Sequence, residues 1–198
     1  NGSTWDNATS PTSNALRGVT FGNDIFLAVA VSGNILRSTD NGSSFDNGTS
    51  PTSNSLVGVT FGNDIFVAVG NSGNIVRSTD NGSSFDNATS PTENNLWGIE
   101  FGNDIFVGVG VSGNIVRSAD NGSSFDNVTS NLPSNSTYNL LGVTFGNDIF
   151  VAVGNSGIIV RSTDNGSTWD NATSPTGNAL YGVTFGNDIF VGVGASGN

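Results

Sequence analysis

Short apolar segments separated by polar turns recur along the whole chain with a period of about forty residues. In each period, a segment such as Gly18 to Phe21 alternates small or polar residues with apolar ones, which is typical of a strand with one buried face. A second segment, such as Ile65 to Val69, is continuously apolar and must be covered on both faces. Further strands are predicted at Ile75 to Ser78 and from Phe85 onward. The Gly-Asn and Ser-Gly-Asn sequences between these segments are typical of tight turns.

The periods define five tandem repeats, which span residues 1–40, 41–80, 81–120, 121–164 and 165–198. Four strands in about forty residues, with every second strand buried on both faces, is what a propeller blade requires. The hairpin turns disfavour a β-solenoid, which would need shorter coils and parallel strands. The sequence therefore predicts an all-β single domain, a five-bladed β-propeller of four-stranded antiparallel blades with the last blade incomplete.

The fifth repeat contains only its first two strands, within Tyr181 to Gly194. Trp5 to Thr9 is expected to supply its fourth strand and to close the ring. The third strand, with the sequence Ile-Val-Arg-Ser-Thr-Asp, would fall between Asn198 and Asn1. We expect this gap to be filled by a continuation of the chain or by self-assembly through strand donation. Direct pairing of Trp5 to Thr9 with Phe190 to Gly194 is the alternative.

One turn recurs with the pattern Ser-x-Asp-x-Gly-x-x-aromatic, first at Ser38 to Phe45. It resembles the Asp-box. The longer pattern, from Leu-x-Gly-Val-x-Phe through Phe-Val-Ala-Val-Gly to Ile-Val-Arg-Ser-Thr-Asp, is similar to photosystem II assembly factor-like propellers. Because the Asp-box also occurs in sialidases and sortilin-type receptors, the resemblance implies a fold and not a function. We expect each aspartate to accept backbone N–H groups of its turn and the aromatic to form a hydrophobic plug. The aspartates concerned are Asp40, Asp80, Asp120 and Asp164.

The composition narrows the chemistry that the chain can perform. It contains no Lys, His, Cys or Met, which excludes histidine and thiol catalysis, disulfides and a structural zinc site. The net charge of −11 repels phosphate backbones, and no apolar run is long enough to span a bilayer. The aspartates lack the spacing of a dedicated calcium loop. We therefore expect no metal, no cofactor, no nucleic acid and no membrane insertion.

Four of the five arginines occupy one repeat position in the predicted third strands. Arginines in four different blades cannot converge on one substrate, so we expect salt bridges from blade to blade with the repeated aspartates. A sialidase-like glycoside hydrolase would need three convergent arginines and a tyrosine nucleophile. The chain has Tyr138 and Tyr181 but no such arginine set, so we expect no enzyme. The four arginines are Arg37, Arg77, Arg117 and Arg161.

The residue after the leucine that opens each first strand differs in every repeat. These residues are Arg17, Val57, Trp97, Leu141 and Tyr181. The third repeat also holds Glu93 and Glu100, which flank Trp97. An aromatic face beside carboxylates is suited to holding a sugar. We therefore predict a ligand site from Trp97, Glu93, Glu100, Arg17 and Tyr181. The alternative is that the divergent residues pack the mouth of the central channel.

Asn-x-Ser/Thr sequons recur on predicted turns and favour an extracellular or cell-surface protein. The main candidates for glycosylation are Asn7, Asn47, Asn87, Asn127, Asn135 and Asn171. Together these features predict a non-catalytic extracellular binding or structural module, such as an adhesin, a lectin-like protein or a surface-assembly propeller. Its partner would be a glycan or a protein surface. The alternatives are a sialidase-like fragment and, from the resemblance, an assembly factor that docks a protein partner.

Overall fold

The computed structural model describes residues 2–128, 132 and 138–198. These residues contain strands and short 3-10 turns, with no α-helix and hence no helix that could span a bilayer. The first strand of each repeat is β1 (Leu16–Gly22), β5 (Leu56–Gly62), β9 (Leu96–Gly102), β13 (Leu140–Gly146) or β17 (Leu180–Gly186). The second is β2 (Ile25–Ala30), β6 (Ile65–Gly70), β10 (Ile105–Gly110), β14 (Ile149–Gly154) or β18 (Ile189–Gly194).

The third and fourth strands occur in four repeats of the described chain. The third strands are β3 (Ile35–Ser38), β7 (Ile75–Ser78), β11 (Ile115–Ser118) and β15 (Ile159–Ser162). The fourth strands are β4 (Asp46–Asn47), β8 (Asp86–Asn87), β12 (Asp126–Asn127) and β16 (Asp170–Asn171). Each repeat also has a 3-10 turn after its second strand: Val31–Gly33, Asn71–Gly73, Val111–Gly113, Asn155–Gly157 and Ala195–Gly197.

The strands form four four-stranded antiparallel sheets and one two-stranded sheet, β17–β18. In each sheet, neighbours along the chain are neighbours in space, as short hairpin turns require. The prediction of five antiparallel blades with an incomplete last one is confirmed. Every residue of β6 is buried, as its uninterrupted apolar sequence demands. The turn before it has left-handed backbone at Asn63 (φ 50°) and Asp64 (φ 61°), so Asn-Asp and not Gly-Asn turns the chain.

The blades pack side by side through their first strands, which lie next to one another in chain order. A phenylalanine ring of each following blade lies on a glycine of the preceding first strand. The ring of Phe145, for example, fills the space where a Cβ on Gly102 would be. Only glycine lets the two blades approach this closely. The same contact joins Gly22 to Phe61, Gly62 to Phe101 and Gly146 to Phe185.

Polar contacts also link each blade to the next. Arg77 Nε donates to the backbone carbonyl of Asn121 at 2.8 Å, and Asn63 Nδ2 donates to Asp104 Oδ1 at 3.0 Å. Arg37 and Arg117 make the equivalent bonds to a turn of the next blade. The predicted salt bridges between arginine and aspartate are therefore wrong for these three arginines. The acceptor that each guanidinium reaches is a backbone carbonyl in the turn of the next blade.

The Ser-x-Asp-x-Gly turns are organised by their aspartate. Asp80 accepts the backbone N–H of Ser84 at 2.9 Å and the hydroxyls of Ser84 and Ser78 at 2.7 and 2.8 Å. The aromatic that follows is buried between blades, as Phe85 and Trp169 illustrate. These contacts stabilise the charged form. The hydroxyl of Ser44 and the backbone N–H beside it lower the pKa of Asp40 to about 2.

The two ends of the row of blades do not meet. In inner blades the Val67 and Val107 side chains of the second strands are fully buried, whereas their counterpart Val191 is 52% exposed. At the other end, Val19 of β1 is 67% exposed. Nothing lies within 4 Å of a Cβ built on Gly186, where a closed ring would place a phenylalanine. The described blades therefore form an open arc with an apolar face at each end.

The predicted ring closure by Trp5 to Thr9 is wrong. This segment forms no strand of the β17–β18 sheet, and Trp5 is 90% exposed. Thr9 exchanges backbone hydrogen bonds with Ser43 and Phe45, in the turn between β3 and β4. Thr49 makes the same bonds to the turn between β7 and β8, so this pairing holds the N-terminal segment against the first sheet. The direct pairing of Trp5 to Thr9 with Phe190 to Gly194 is not present either.

A single methyl group tests the packing between blades. Gly102→Ala should lower the free energy of unfolding by about 1–3 kcal/mol, because the new Cβ overlaps the Phe145 ring. Gly186→Ala is the matched control and should stay within about 0.5 kcal/mol of the parent. Urea unfolding of both variants measures the difference. An equal loss of unfolding free energy in Gly102→Ala and Gly186→Ala would contradict an open arc of blades.

A second substitution tests the turn. Asp80→Ala should lower the free energy of unfolding by about 1–2 kcal/mol, since three hydrogen bonds are lost. Asp86→Ala, on the exposed strand β8, should have little effect. Denaturant unfolding at neutral pH compares the two. A similar loss in both variants would show that the turn bonds are not the cause.

Acid should weaken the fold through the same aspartates. The hydroxyl of Thr168 lowers the pKa of Asp164 from its ordinary value of 3.8 to about 2. A carboxyl group with a lowered pKa stabilises the fold above its ordinary pKa and loses this contribution as pH falls towards its folded value. The free energy of unfolding should therefore fall between pH 5 and pH 2.5. Asp164→Asn should reduce this dependence on pH. A pH profile that the substitution leaves unchanged would contradict the role given to Asp164.

Candidate functional site

The first strands begin at the same end of the propeller as the proline-containing loops and the 3-10 turns. Each of them carries a β-bulge at its second residue, as at Arg17, where Leu16 and Gly18 pair with successive residues of β2. Trp97 occupies the same position in β9. The side chain of a bulged residue does not follow the alternation of side chains between the two faces of the sheet. The bulge explains why this position differs in every repeat while its neighbours hardly change.

Three bulged residues of successive repeats surround one pocket at this end. Its volume is about 250 Å³. It is lined by Arg17, Val31, Ser55, Val57, Asn71 and Trp97. Arg17 is exposed, whereas Trp97 and Val57 are half-buried. The pocket therefore combines an aromatic face and two valines with one cation and small polar groups.

The structure brings Arg17 and Trp97 of the predicted ligand site together, but not the other three residues. Glu93 is exposed on the loop before β9, and Tyr181 is 61% exposed on the first strand of the last repeat. Glu100 lies three positions after Trp97, which places it about 10 Å further along the strand. None of these three lines the pocket. The predicted site remains a prediction as a whole.

Glu100 occupies a position that is threonine in the other four repeats. Its Oε1 accepts the backbone N–H of Phe101 at 2.9 Å and lies 3.5 Å from the hydroxyl of Thr60. Burial raises the pKa of Glu100, and these two hydrogen bonds offset part of the effect. The carboxylate is thus held within the row of first strands, below the mouth where Trp97 lies.

Three residues that line the pocket were not predicted from the sequence: Val31, Ser55 and Asn71. Val31 and Asn71 open the 3-10 turns of two repeats, and this position is occupied by Val, Asn or Ala along the chain. Ser55 precedes the first strand, at a position that is also Ala or Asn elsewhere. Variation among repeats, the signal that identified Trp97, would also have found these positions.

The groups around the pocket are suited to binding. The six lining residues include no carboxylate, and the chain has no His, Lys or Cys. No group of three acidic residues in the described part of the chain could hold a metal ion. The four aspartates of the Ser-x-Asp-x-Gly turns follow the third strands and lie at the opposite end of the propeller.

The sequon asparagines lie mostly on the outer surface. Asn47 and Asn87 line two polar grooves between the proline-containing loops and the 3-10 turns, of about 330 and 270 Å³. The grooves recur with the repeat, which indicates a role in the blade itself. The described candidates Asn7, Asn47, Asn87, Asn127 and Asn171 are all exposed. Asn135 lies outside the described residues.

Comparison with known proteins identifies the fold. No protein-family model and no curated protein sequence matches the chain. Among solved structures, YCF48 from Cyanidioschyzon merolae has a TM-score of 0.72 at 18% identity, over 99% of this chain and 72% of its own. YCF48 bound to D1 peptide has a TM-score of 0.69 at 17% identity, over 91% of this chain and 60% of its own.

A third similar structure is the computationally designed Ika8 protein, with a TM-score of 0.59 at 13% identity over 94% of this chain and 70% of its own. The chain therefore spans between 60% and 72% of the lengths of these three structures. Identities this low establish the fold and no more. The resemblance to photosystem II assembly factor-like propellers is confirmed at the level of the β-propeller fold.

Proposed function

We propose that this chain is a non-catalytic docking module that holds a segment of a partner protein at the mouth of its propeller. One observation carries the proposal: the bulged residues Arg17, Val57 and Trp97, from three successive repeats, surround a single pocket. The aspartates of the Ser-x-Asp-x-Gly turns and the third-strand arginines recur from blade to blade, and Asp80 and Arg77 contact their own turn and the next blade. The residues that line the pocket differ among the repeats.

The pocket has the chemistry of a peptide site. Trp97 offers a flat apolar surface beside Val31 and Val57, which suits an apolar side chain. Arg17 is the one arginine outside the third strands, and its exposed guanidinium is suited to a carboxylate. The fitting partner is an extended segment with an acidic residue next to an apolar one.

The comparisons support a protein partner over a glycan. One of the similar structures is YCF48 bound to D1 peptide, a protein of this fold in complex with a peptide. The pocket also lacks the carboxylates that sequence analysis placed beside Trp97, and those carboxylates were the reason to expect a sugar. The adhesin or lectin-like alternative rests on the exposed sequons. They are also the support for proposing an extracellular or cell-surface location.

A peptide selection with paired variants tests the docking proposal. Peptides displayed on phage are selected against the parent chain, and the affinity of the best binder is then measured for Trp97→Ala and Arg17→Ala. Each substitution should weaken binding about tenfold or more, as expected for an aromatic or arginine anchor. Tyr181→Ala is the matched control, because it removes an exposed aromatic from the same bulged position outside the pocket.

A glycan array probed with the same proteins tests the other class of partner. Thermal unfolding of each variant should match the parent, since neither Arg17 nor Trp97 belongs to the buried core. Peptide binding that is equal in Trp97→Ala and Tyr181→Ala would reject the pocket as the site. Binding of a glycan that requires Trp97, with no peptide selected, would support the lectin-like alternative instead.

A further inference from the structure

Glu100 departs from the repeat at a position that is otherwise constant in the first strands. Its counterparts in the other four repeats are threonines: Thr20, Thr60, Thr144 and Thr184. The second and fourth repeats form complete four-stranded sheets with threonine at this position. The carboxylate is therefore not a requirement of the blade.

The carboxylate of Glu100 lies at the free edge of β9. This strand is at the end of its sheet, and β10 pairs with its other edge. Glu100 Oε1 accepts the N–H of Phe101 at 2.9 Å, so this N–H takes no part in pairing with β10 and points to the free edge. The hydroxyl of Thr60, on the adjacent first strand β5, lies 3.5 Å from the same oxygen. Because the free edges of the first strands line the inner side of the arc, the carboxylate faces this channel.

The other oxygen of Glu100 has no partner among the described residues. Oε2 makes no hydrogen bond there and is not enclosed, and the side chain as a whole is half-buried. No described arginine pairs with it. Three third-strand arginines donate to turn carbonyls, and Arg17 and Arg161 lie at the mouth and in a third strand. The chain contains no Lys or His that could take their place.

A half-buried carboxylate without a cation costs free energy. Burial raises the pKa of Glu100 above its ordinary value of 4.5, and the hydrogen bonds from Phe101 and Thr60 offset only part of the effect. A cationic group that reaches Oε2 would compensate this charge. The net charge of −11 also attracts a cation towards the chain.

We propose that Glu100 binds the ammonium or guanidinium group of a basic side chain on the segment that docks at the pocket. The inference rests on the proposed function for the segment that carries this group. Glu100 lies three positions after Trp97, about 10 Å further along β9. A long lysine or arginine side chain on a segment held at Trp97 extends towards Glu100, with its apolar stem along the Trp97 ring. The partner then carries an acidic, an apolar and a basic residue.

The two glutamates of the chain provide a test with an internal control. Selective carbon-13 labelling of glutamate gives two side-chain carboxyl signals in NMR spectra, and Glu100→Gln assigns them. n-Butylammonium, which mimics a lysine side chain, should shift the Glu100 signal saturably and lower its titration midpoint, because a cation stabilises the charged form. Glu93 is exposed on the loop before β9 and should show no saturable response. n-Butanol is the neutral control for the probe.

Parallel peptide selections test the docked segment. Phage-displayed peptides selected on the parent chain should be enriched in Lys or Arg at one position, and selection on Glu100→Thr should remove this enrichment. Norleucine in place of the basic residue of the best peptide should weaken binding to the parent about tenfold, but binding to Glu100→Thr less than about twofold. Glu93→Gln is the matched control and should behave like the parent.

Thermal unfolding separates a role in binding from a role in the fold. Glu100→Thr restores the residue of the repeat and should raise the Tm at pH 7 by about 2–4 °C, because an uncompensated charge is removed. A carboxyl group with a raised pKa destabilises the fold above its folded pKa, and this effect is lost below its ordinary value of 4.5. The gain in Tm should therefore disappear at about pH 4. A lower Tm at pH 7 would assign Glu100 to the fold and overturn the proposal.

The binding experiments have outcomes that separate this proposal from the docking proposal. An equal response of the two glutamate signals to n-butylammonium, or no response at Glu100, would overturn the cation site. Peptides that require Trp97 and Arg17 but show no preference for a basic residue would reject the cation site and leave the docking proposal in place. A saturable cation response at Glu100 with no peptide selected would support the cation site and reject the docking proposal.

Discussion

The contact between neighbouring blades is the interaction on which this structure depends. The second, third and fourth blades each place a phenylalanine ring on a glycine of the blade before them and an aromatic plug into the apolar cluster that the two blades share. A strand such as β6 is apolar on both faces, and both faces must be buried. A blade therefore needs a neighbouring blade on each side. The polar links, such as Arg77 to the carbonyl of Asn121, lie around this apolar contact and complete the hydrogen bonding of the turns.

The same contact explains where function can reside. Residues that serve the blade recur along the chain: the turn aspartates and the third-strand arginines occur in four repeats, and the plug aromatics recur in the same way. The bulge at the start of each first strand relaxes the pleat and frees one side chain per blade, which is why Arg17 and Trp97 can differ. Binding at the mouth and packing between blades can therefore evolve separately.

The sequence predicted the strands, the sheets and the incomplete last blade because those features depend on local patterns that recur in the chain. It failed where the answer depended on geometry between blades. The ring closure through Trp5 requires a particular curvature, and curvature is set by the fit of surfaces such as Phe145 on Gly102. Glu100 was grouped with Trp97 by proximity in sequence, yet the rise of a strand separates them by about 10 Å. The arginine partners were mistaken because a turn carbonyl is not visible in the sequence as an acceptor.

Residue-resolved amide hydrogen exchange tests most directly whether packing between complete neighbours organises the chain and leaves the last blade open. The N–H groups of Phe150 and Ala152 lie in the central strand of a complete blade, whereas their counterparts in β18 are Phe190 and Gly192. Exchange at Phe190 and Gly192 should be fast, and exchange at Phe150 and Ala152 should be slow and approach the rate set by global unfolding. Equal protection of the two pairs in the monomeric chain would contradict this account of the fold.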